Sequence, residues 1–579
     1  MDLSNLNFSD LQHIIGVRFC LLLFLILGVF FIYKKKPLWL FLLMTGILAS
    51  ISYFIFVDDL PLMFWGVQGD EVTIAAMFNT FAHTSFFSDF SYHNLPPFYP
   101  PLFFWIFALP GRIFDWNGIQ MAKMASGISI AVFPILTYLI QKWYQKTTPQ
   151  DEKNDFSPSN ITFFLAPLFV FLFIDWDAFI LKPYEAITAF LSIIWVVYLG
   201  LDAYYKRLSV KRILVYGISG GILFLTYYLW LVFGAIAFSL FALQNIKKQD
   251  QWYYYGRLFI IASVVFLVAT PYIIPLILSF REFGSQNFQI SYFVFPNAKF
   301  QAVMFEFFSW RGLLLLGGFI SLIVFRHLLY IRLLISFLLS SYIWYFIGLA
   351  SLFFYGASNQ EFKGFYFIDR IILAISVAYG IERLWKYFEA KKFAYDWKRP
   401  LLLLGLFFLS TQMIFGFFLN DPVALHRRYA STQLDGEIVK LSQFLKQNPL
   451  PNEDALVLQA GIPQLLAFVP VNNFLYYNAH NSHPAATFSL REDYIVALGY
   501  AKGSEHLSVL ASTTPYGAIG RFVFFKNTDS ENYHLYYNVD NFPQGGISKV
   551  HTLPKKLFVE PHFQKIYENN KFIVFDRIF

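Results

Sequence analysis

Two carboxylates stand side by side, Asp70 and Glu71, at the head of "GDEVTIAAMFNTFAHTSFFSDFSYHNLPPFYPP". Asn79, His83, Asp89 and His93 follow in the same stretch. A carboxylate just outside an oily segment can act as a general base on an acceptor hydroxyl, provided it lies close to the proton it removes. Partial desolvation there would raise its pKa. Gly69-Asp70 ahead of "EVTIAAMFNTFA" also reads as a helix N-cap, with the helix starting at Glu71. The two roles are compatible. An Asp70 that precedes the helix is the freer of the two acids to face a substrate.

Three more clusters carry polar groups that an oily chain has no structural need for. "DWDAFILKPYEAI" (175–187) holds Lys182, Tyr184 and Glu185. A lysine there is a candidate phosphate ligand, or a snorkelling lysine paired with Glu185. "YGASNQEFKGFYFIDR" (355–370) sets Lys363 and Arg370 among aromatics, where Arg370 reads equally well as an interfacial anchor. "NLPPFYPPLFFWIFALPGRIF" (94–114) combines rigid proline turns with aromatics, Tyr99 among them, suited to a membrane interface. The stretch 281–301 suggests no role.

The elements that must position these residues are membrane spans. The chain has 579 residues, 57% hydrophobic and only 14% charged, against roughly 25% charged in soluble domains. That excludes an ordinary globular enzyme and predicts a mainly α, polytopic helical bundle. Windows of roughly 20 apolar residues predict about twelve spans, near 11–33, 37–57, 119–141, 161–180, 184–204, 212–229, 230–246, 257–280, 311–326, 333–353, 369–387 and 400–419. The 98–114 stretch, with its prolines and Arg112, is expected to lie along the interface instead. The first apolar run is followed rather than preceded by lysines, so it reads as a retained span and not a signal peptide.

Basic residues crowd alternate connections: Lys34 to Lys36, Lys142 and Lys146, Lys206 to Arg212, Lys247-Lys248, Arg326 to Arg332, and Lys386 to Arg399. The positive-inside rule places these in the cytoplasm. The net charge of +7 is thereby accounted for without nucleic-acid binding. The Asp70 loop (58–118), the 175–187 and 355–370 loops and the tail then share the outer face. The spans form one module over 1–420. The tail, 421–579, reads as a separate α/β or α+β domain, with strands at 454–460, 521–527, 533–540 and 571–578 and an amphipathic helix at 435–448. No GxxxxGK[ST] sequence is present, which argues against an ATP-driven pump. The single cysteine, Cys20, excludes an intrachain disulfide framework and reads as a small apolar residue.

One face with acids for proton transfer, basic groups for a phosphate and aromatics for sugar rings or prenyl chains suits sugar transfer from a lipid-linked phosphate. At these residues the chain resembles the GT-C superfamily of membrane glycosyltransferases, most of all in "YPPLFFWIFALPGRIFDWNGIQMAKMASGISIAVFPILTYLIQKW" (99–143). A nearer likeness is to the arabinofuranosyltransferases that prime galactan in mycobacterial cell walls. It rests on "DFSYHNLPPFYPPLFFW" (89–105), "VLQAGIPQLLAFVPVNNFLYYNAHNSHPAATFSLRED" (457–493), "YHLYYNVDNFP" (533–543) and "FQKIYENNKFIVFDRI" (563–578).

The resemblance implies a polyprenyl-phosphate sugar donor, a glycan acceptor and inverting transfer. It implies Asp70 as base with Glu71 beside it, and Lys182, Lys363 and Arg370 at the donor phosphate. His83, His93, Tyr99, Tyr184 and Glu185 are candidate substrate contacts. No metal ligands are named, and the need for a divalent ion is left open. The implied place is a bacterial plasma (inner) membrane, with the active site on the extracytoplasmic side. The alternative is a transporter or flippase of a lipid-linked sugar. Transporters set polar groups near the bilayer midplane, whereas here they cluster in outer loops.

Overall fold

The structure is a computed structural model and describes residues 8–34, 37–64, 66, 69–147, 158–174, 176–291, 300–306, 309–390, 394–412, 428–452, 454–541 and 545–578. Its first half is a bundle of helices: α1 (Phe8–Lys34), α2 (Leu38–Val57), α3 (Asp70–His83), α4 (Leu102–Phe114), α5 (Gly118–Thr147), α6 (Asn160–Phe173), α7 (Trp176–Leu181), α8 (Pro183–Tyr204), α9 (Val210–Tyr227), α10 (Leu229–Asn245), α11 (Gln251–Phe283), α12 (Trp310–Val324), α13 (Leu329–Tyr355), α14 (Arg370–Ala390) and α15 (Ala394–Gln412).

Among the described residues, eight helices are long and apolar enough to cross a membrane. The other four expected spans fall on shorter apolar helices, α6, α10, α12 and residues Pro400–Gln412. The predicted single span 161–180 is two helices. α6 ends at Phe173, Ile174 is extended, and α7 runs only to Leu181. The chain turns back at Tyr228, between α9 and α10, where the long run 212–246 was divided. The end of the twelfth expected span and the boundary near 420 lie outside the described residues. Cys20 is buried in the bundle core.

Polar contacts sort the connections into two ends. Lys206 meets Asp250 at 2.6 Å, Arg212 meets Asp202 at 2.5 Å and Arg332 donates to Asn245 at 2.7 Å. These basic connections share one end. At the other end lie Asp70, Lys182, Glu185 and Lys363, together with the tail. The grouping is the one that the alternation of basic loops predicts.

α4 buries Phe103, Phe104, Ala108 and Gly111 and leaves Ile106, Leu109, Ile113 and Phe114 exposed. It is one of the shorter apolar helices, like α6, α10 and α12.

The tail opens with α16 (Gly436–Gln447), capped by the Asp435 side chain. A four-stranded sheet has the order β1 (Leu456–Gln459), β2 (Ile519–Phe525), β6 (Phe572–Arg577), β5 (Phe563–Glu568), with β1–β2 parallel and the other pairs antiparallel. A long hairpin, β3 (Asn532–Asn541) with β4 (Gly545–Pro554), stands beside it. Short helices α17 (Leu465–Phe468), α18 (Phe488–Gly499) and α19 (Ser504–Ser512) fill the connections. The four expected strands and the amphipathic helix are present. β4 and β5 were not expected, because β4 is largely exposed and lacks apolar alternation.

Two apolar cores serve the end of the bundle that carries Asp70 and the tail. One belongs to the tail alone, with Leu458, Phe522, Phe524 and Leu535. The second joins tail and bundle: Val72, Ala75, Phe78 and Phe104 from the Asp70 loop pack with Leu441, Leu466, Tyr476, Val523 and Val574 from the tail. At ~25 cal/mol per Å2 of apolar surface removed from water, such a shared core ties the two parts firmly.

Candidate active site

The site is built on the first turn of α3. Gly69 precedes it with φ +56° and ψ −119°, a conformation that a Cβ would strain. Asp70 is therefore the first helical residue rather than the N-cap that the sequence suggested, and Gly69 takes the capping position without a side-chain bond. Two acids in the first turn complement the helix dipole. Successive helical residues point about 100° apart, so Asp70 and Glu71 leave the helix in different directions. Asp70 lines the cavity and Glu71 is not part of its wall.

That cavity has a volume of about 780 Å3, within the ~300–1,000 Å3 range of ligand pockets. α3 contributes Asp70, Thr73, Ile74 and Met77 to its wall. The α7–α8 corner contributes Leu181, Lys182, Tyr184 and Glu185. The loop after α13 contributes Ser358, Gln360, Glu361 and Lys363, and the tail contributes Asn478, His480, Asn481 and Asp540.

Four charges run across the floor in alternating sign. Lys182 Nζ donates to Asp70 Oδ2 at 2.6 Å and lies 3.9 Å from Glu185 Oε1. Lys363 donates to Glu185 Oε2 and sits over the Tyr227 ring. The Asp70 side chain remains 45% exposed to the cavity, while that of Glu185 is only 4% exposed. A ligand can therefore reach Asp70, and Glu185 acts mainly as the counter-ion between two lysines. The Lys182 charge holds the Asp70 carboxyl below its usual range, against burial, and His480 and Lys363 add to the effect. Burial works against the Lys182 ammonium, yet Asp70 and Glu185 hold it well above its ordinary value. Burial pushes Lys363 down, with Glu185 opposing.

A π-helical turn, Gly364–Asp369, follows Lys363 directly. Such turns insert an extra residue and re-aim the side chains around them. Past it, Arg370 turns away from the cavity. It is buried, donates to the Phe173 carbonyl at 3.3 Å and stacks over Tyr366. The expectation that it joins the two lysines is not met.

Tyr99 is at the site. Its hydroxyl donates to Asn481 Oδ1 at 3.0 Å and accepts from Gln289 at 2.6 Å. Tyr184 lines the wall and packs on Phe103, Phe104 and Tyr227. The two expected histidines lie elsewhere. His83 ends α3, with Nε2 3.0 Å from the Trp116 carbonyl and Nδ1 3.8 Å from Asp115. Thirteen residues of helix, roughly 20 Å, separate it from Asp70. His93 is half-buried, its backbone N–H donating to Asn472, and desolvation lowers its pKa to about 4.

No tail residue is among the candidates read from the sequence. The "NAHNSH" run at 478–483 is dense in hydrogen-bonding side chains, and that density was the available signal. The His480 backbone N–H donates to Asn478 Oδ1, and His480 Nδ1 lies 2.5 Å from Asp540 Oδ2 on β3. Gln289 comes from the 281–301 stretch to which no role was given. The tail is held over the loop by matched pairs: Asn79 to the Leu466 carbonyl, Tyr92 to Ser482, Asn473 to the Ser91 carbonyl and Arg428 to Asp59.

No family model matches the chain, and no curated protein matches it. Among solved structures the chain is similar to the Archaeoglobus fulgidus oligosaccharyltransferase in complex with zinc and sulfate. The identity is 12% and the TM-score 0.42, over 89% of this chain and 73% of that one.

Proposed function

We propose that this protein is a membrane glycosyltransferase of the GT-C type. It moves a sugar, arabinofuranose by the sequence resemblance, from a polyprenyl-phosphate donor to a glycan acceptor of the cell envelope. The reaction runs with inversion on the extracytoplasmic side of a bacterial inner membrane. The observation that carries this reading is the convergence of Asp70, Lys182, Glu185 and Lys363 on one cavity from three separate loops.

A carboxylate reachable from the cavity addresses the acceptor hydroxyl. The oxygen attacks the anomeric carbon as the bond to the donor phosphate breaks. Lys182 and Lys363 take the charge that develops on the leaving phosphate. Glu185 keeps both ammonium groups charged and aimed until the donor arrives. Tyr99, Tyr184 and Tyr227 offer ring faces to a sugar or a prenyl chain.

The test is Asp70→Asn in membranes supplied with a radiolabelled polyprenyl-phosphate pentose. Transfer to endogenous glycan is expected to fall at least about 10²-fold with expression unchanged. Transfer at the wild-type rate would remove Asp70 from the mechanism.

A further inference from the structure

The cavity holds a second acid–base pair that the spans do not supply. His480 and Asp540 both come from the tail, and both line the wall that Asp70 faces. His480 Nδ1 and Asp540 Oδ2 are 2.5 Å apart. A carboxylate on Nδ1 fixes the tautomer that carries its proton there, which makes Nε2 the basic nitrogen. The pair is also rigidly placed. An Asn478 side chain caps the His480 backbone, and Asn478 bridges to Asn538, two residues before Asp540 on β3.

Asp70 by itself is a poor resting place for a proton. Lys182 donates to it at 2.6 Å and holds the carboxyl low. His480 lines the same cavity as that carboxyl.

We propose that the tail completes the catalytic apparatus: His480, oriented by Asp540, receives the proton that Asp70 draws from the acceptor hydroxyl. This rests on the glycosyl-transfer reading above. The acceptor oxygen forms its bond to the anomeric carbon. The bond from that carbon to the phosphate oxygen breaks, and its electron pair leaves with the prenyl phosphate, which gains one negative charge. The acceptor proton passes by way of Asp70 to Nε2 of His480, and the imidazolium later releases it to solvent. Asp540 is a positioning residue. The other charged groups lining the cavity are Asp70, Lys182, Glu185, Glu361 and Lys363.

The experiment uses the full chain in proteoliposomes with a panel of polyprenyl-phosphate sugars, measuring kcat and KM from pH 5.5 to 8.5. His480→Gln is expected to lower kcat about 10²-fold with KM changed by less than about threefold. In Asp540→Asn kcat should fall about 10-fold, again with KM changed by less than about threefold. Wild-type kcat in His480→Gln would overturn the proposal while leaving glycosyl transfer intact. If that variant does not fold, wild-type kcat in Asp540→Asn overturns it equally. No transfer by wild-type protein from any donor in the panel would instead overturn the parent reading, and the relay with it.

Discussion

At the scale of single residues, position on the helix decides what each acid can do. Asp70 and Glu71 are adjacent in sequence, yet only Asp70 lines the cavity, because one helical step turns the next side chain away. The preference for Asp70 could be read from the sequence, although the reason differs: it opens the helix instead of preceding it. Asp89 illustrates another fate for an acid in the same loop. It is buried and accepts the N–H groups of Ser91 and Tyr92 at 3.0 and 3.2 Å. Burial raises its pKa from 3.8 to about 7. The fold thus prefers the neutral acid. Its contribution to stability is greatest below its ordinary value, declines as pH rises, and is lowest above about 7. A shift of this size corresponds to about 4 kcal/mol. Asp89→Asn keeps the acceptor oxygen without the charge. Thermal melts in detergent should find the variant more stable than wild type at pH 8, with the advantage gone at pH 4. An advantage independent of pH would show that Asp89 is not the titrating group.

At the scale of elements, the site depends on how closely α3 can approach its neighbours. Gly118, at the start of α5, is where the backbones meet. A Cβ there would lie 2.0 Å from the Ala75 carbonyl oxygen of α3 and 3.1 Å from the Ala467 carbonyl oxygen of the tail. Gly118→Ala must push α3 and the tail off α5. The expected cost is about 1–3 kcal/mol, together with a drop in transfer rate, because Asp70 rides on α3. An unshifted melting temperature with full activity would mean that the crossing relaxes without moving Asp70. Apolar periodicity made most helices legible in advance. It could not reveal the break at Ile174 or the π-helical turn after Lys363. Charged residues flank both, Asp175 and Asp177 at the first and Lys363 and Arg370 at the second, but they do not by themselves specify the backbone change, which tertiary contacts set. The break brings Lys182 to Asp70, and the π turn precedes an Arg370 that points elsewhere.

At the scale of the whole molecule, bundle and tail share a core and a cavity. Val457, Leu466, Tyr476, Val523 and Val574 bury their apolar surface against the Asp70 loop. A tail fragment beginning at Arg428 and expressed alone would expose that surface to water. It should elute as aggregate or give a poorly dispersed spectrum, and should become soluble when co-expressed with residues 1–412. A well-dispersed spectrum and a sharp melt from the isolated fragment would show that the shared core is dispensable.

The sequence by itself determined the fold class, the approximate spans, which loops lie at one end, and most of the tail's strands. Those properties follow from hydropathy, charge alternation and local periodicity, which act over a few turns of chain. It also singled out Asp70, Lys182, Tyr184, Glu185, Lys363 and Tyr99, all of which line the cavity. Only the tertiary structure decided that Glu71, His83, His93 and Arg370 stay out of its wall. Only the tertiary structure brought in Gln289, Asn478, His480 and Asp540. These residues lie hundreds of positions from Asp70. Their meeting depends on a shared apolar core and on hydrogen bonds such as Asn473 to Ser91 and Tyr92 to Ser482. No local pattern encodes such pairings.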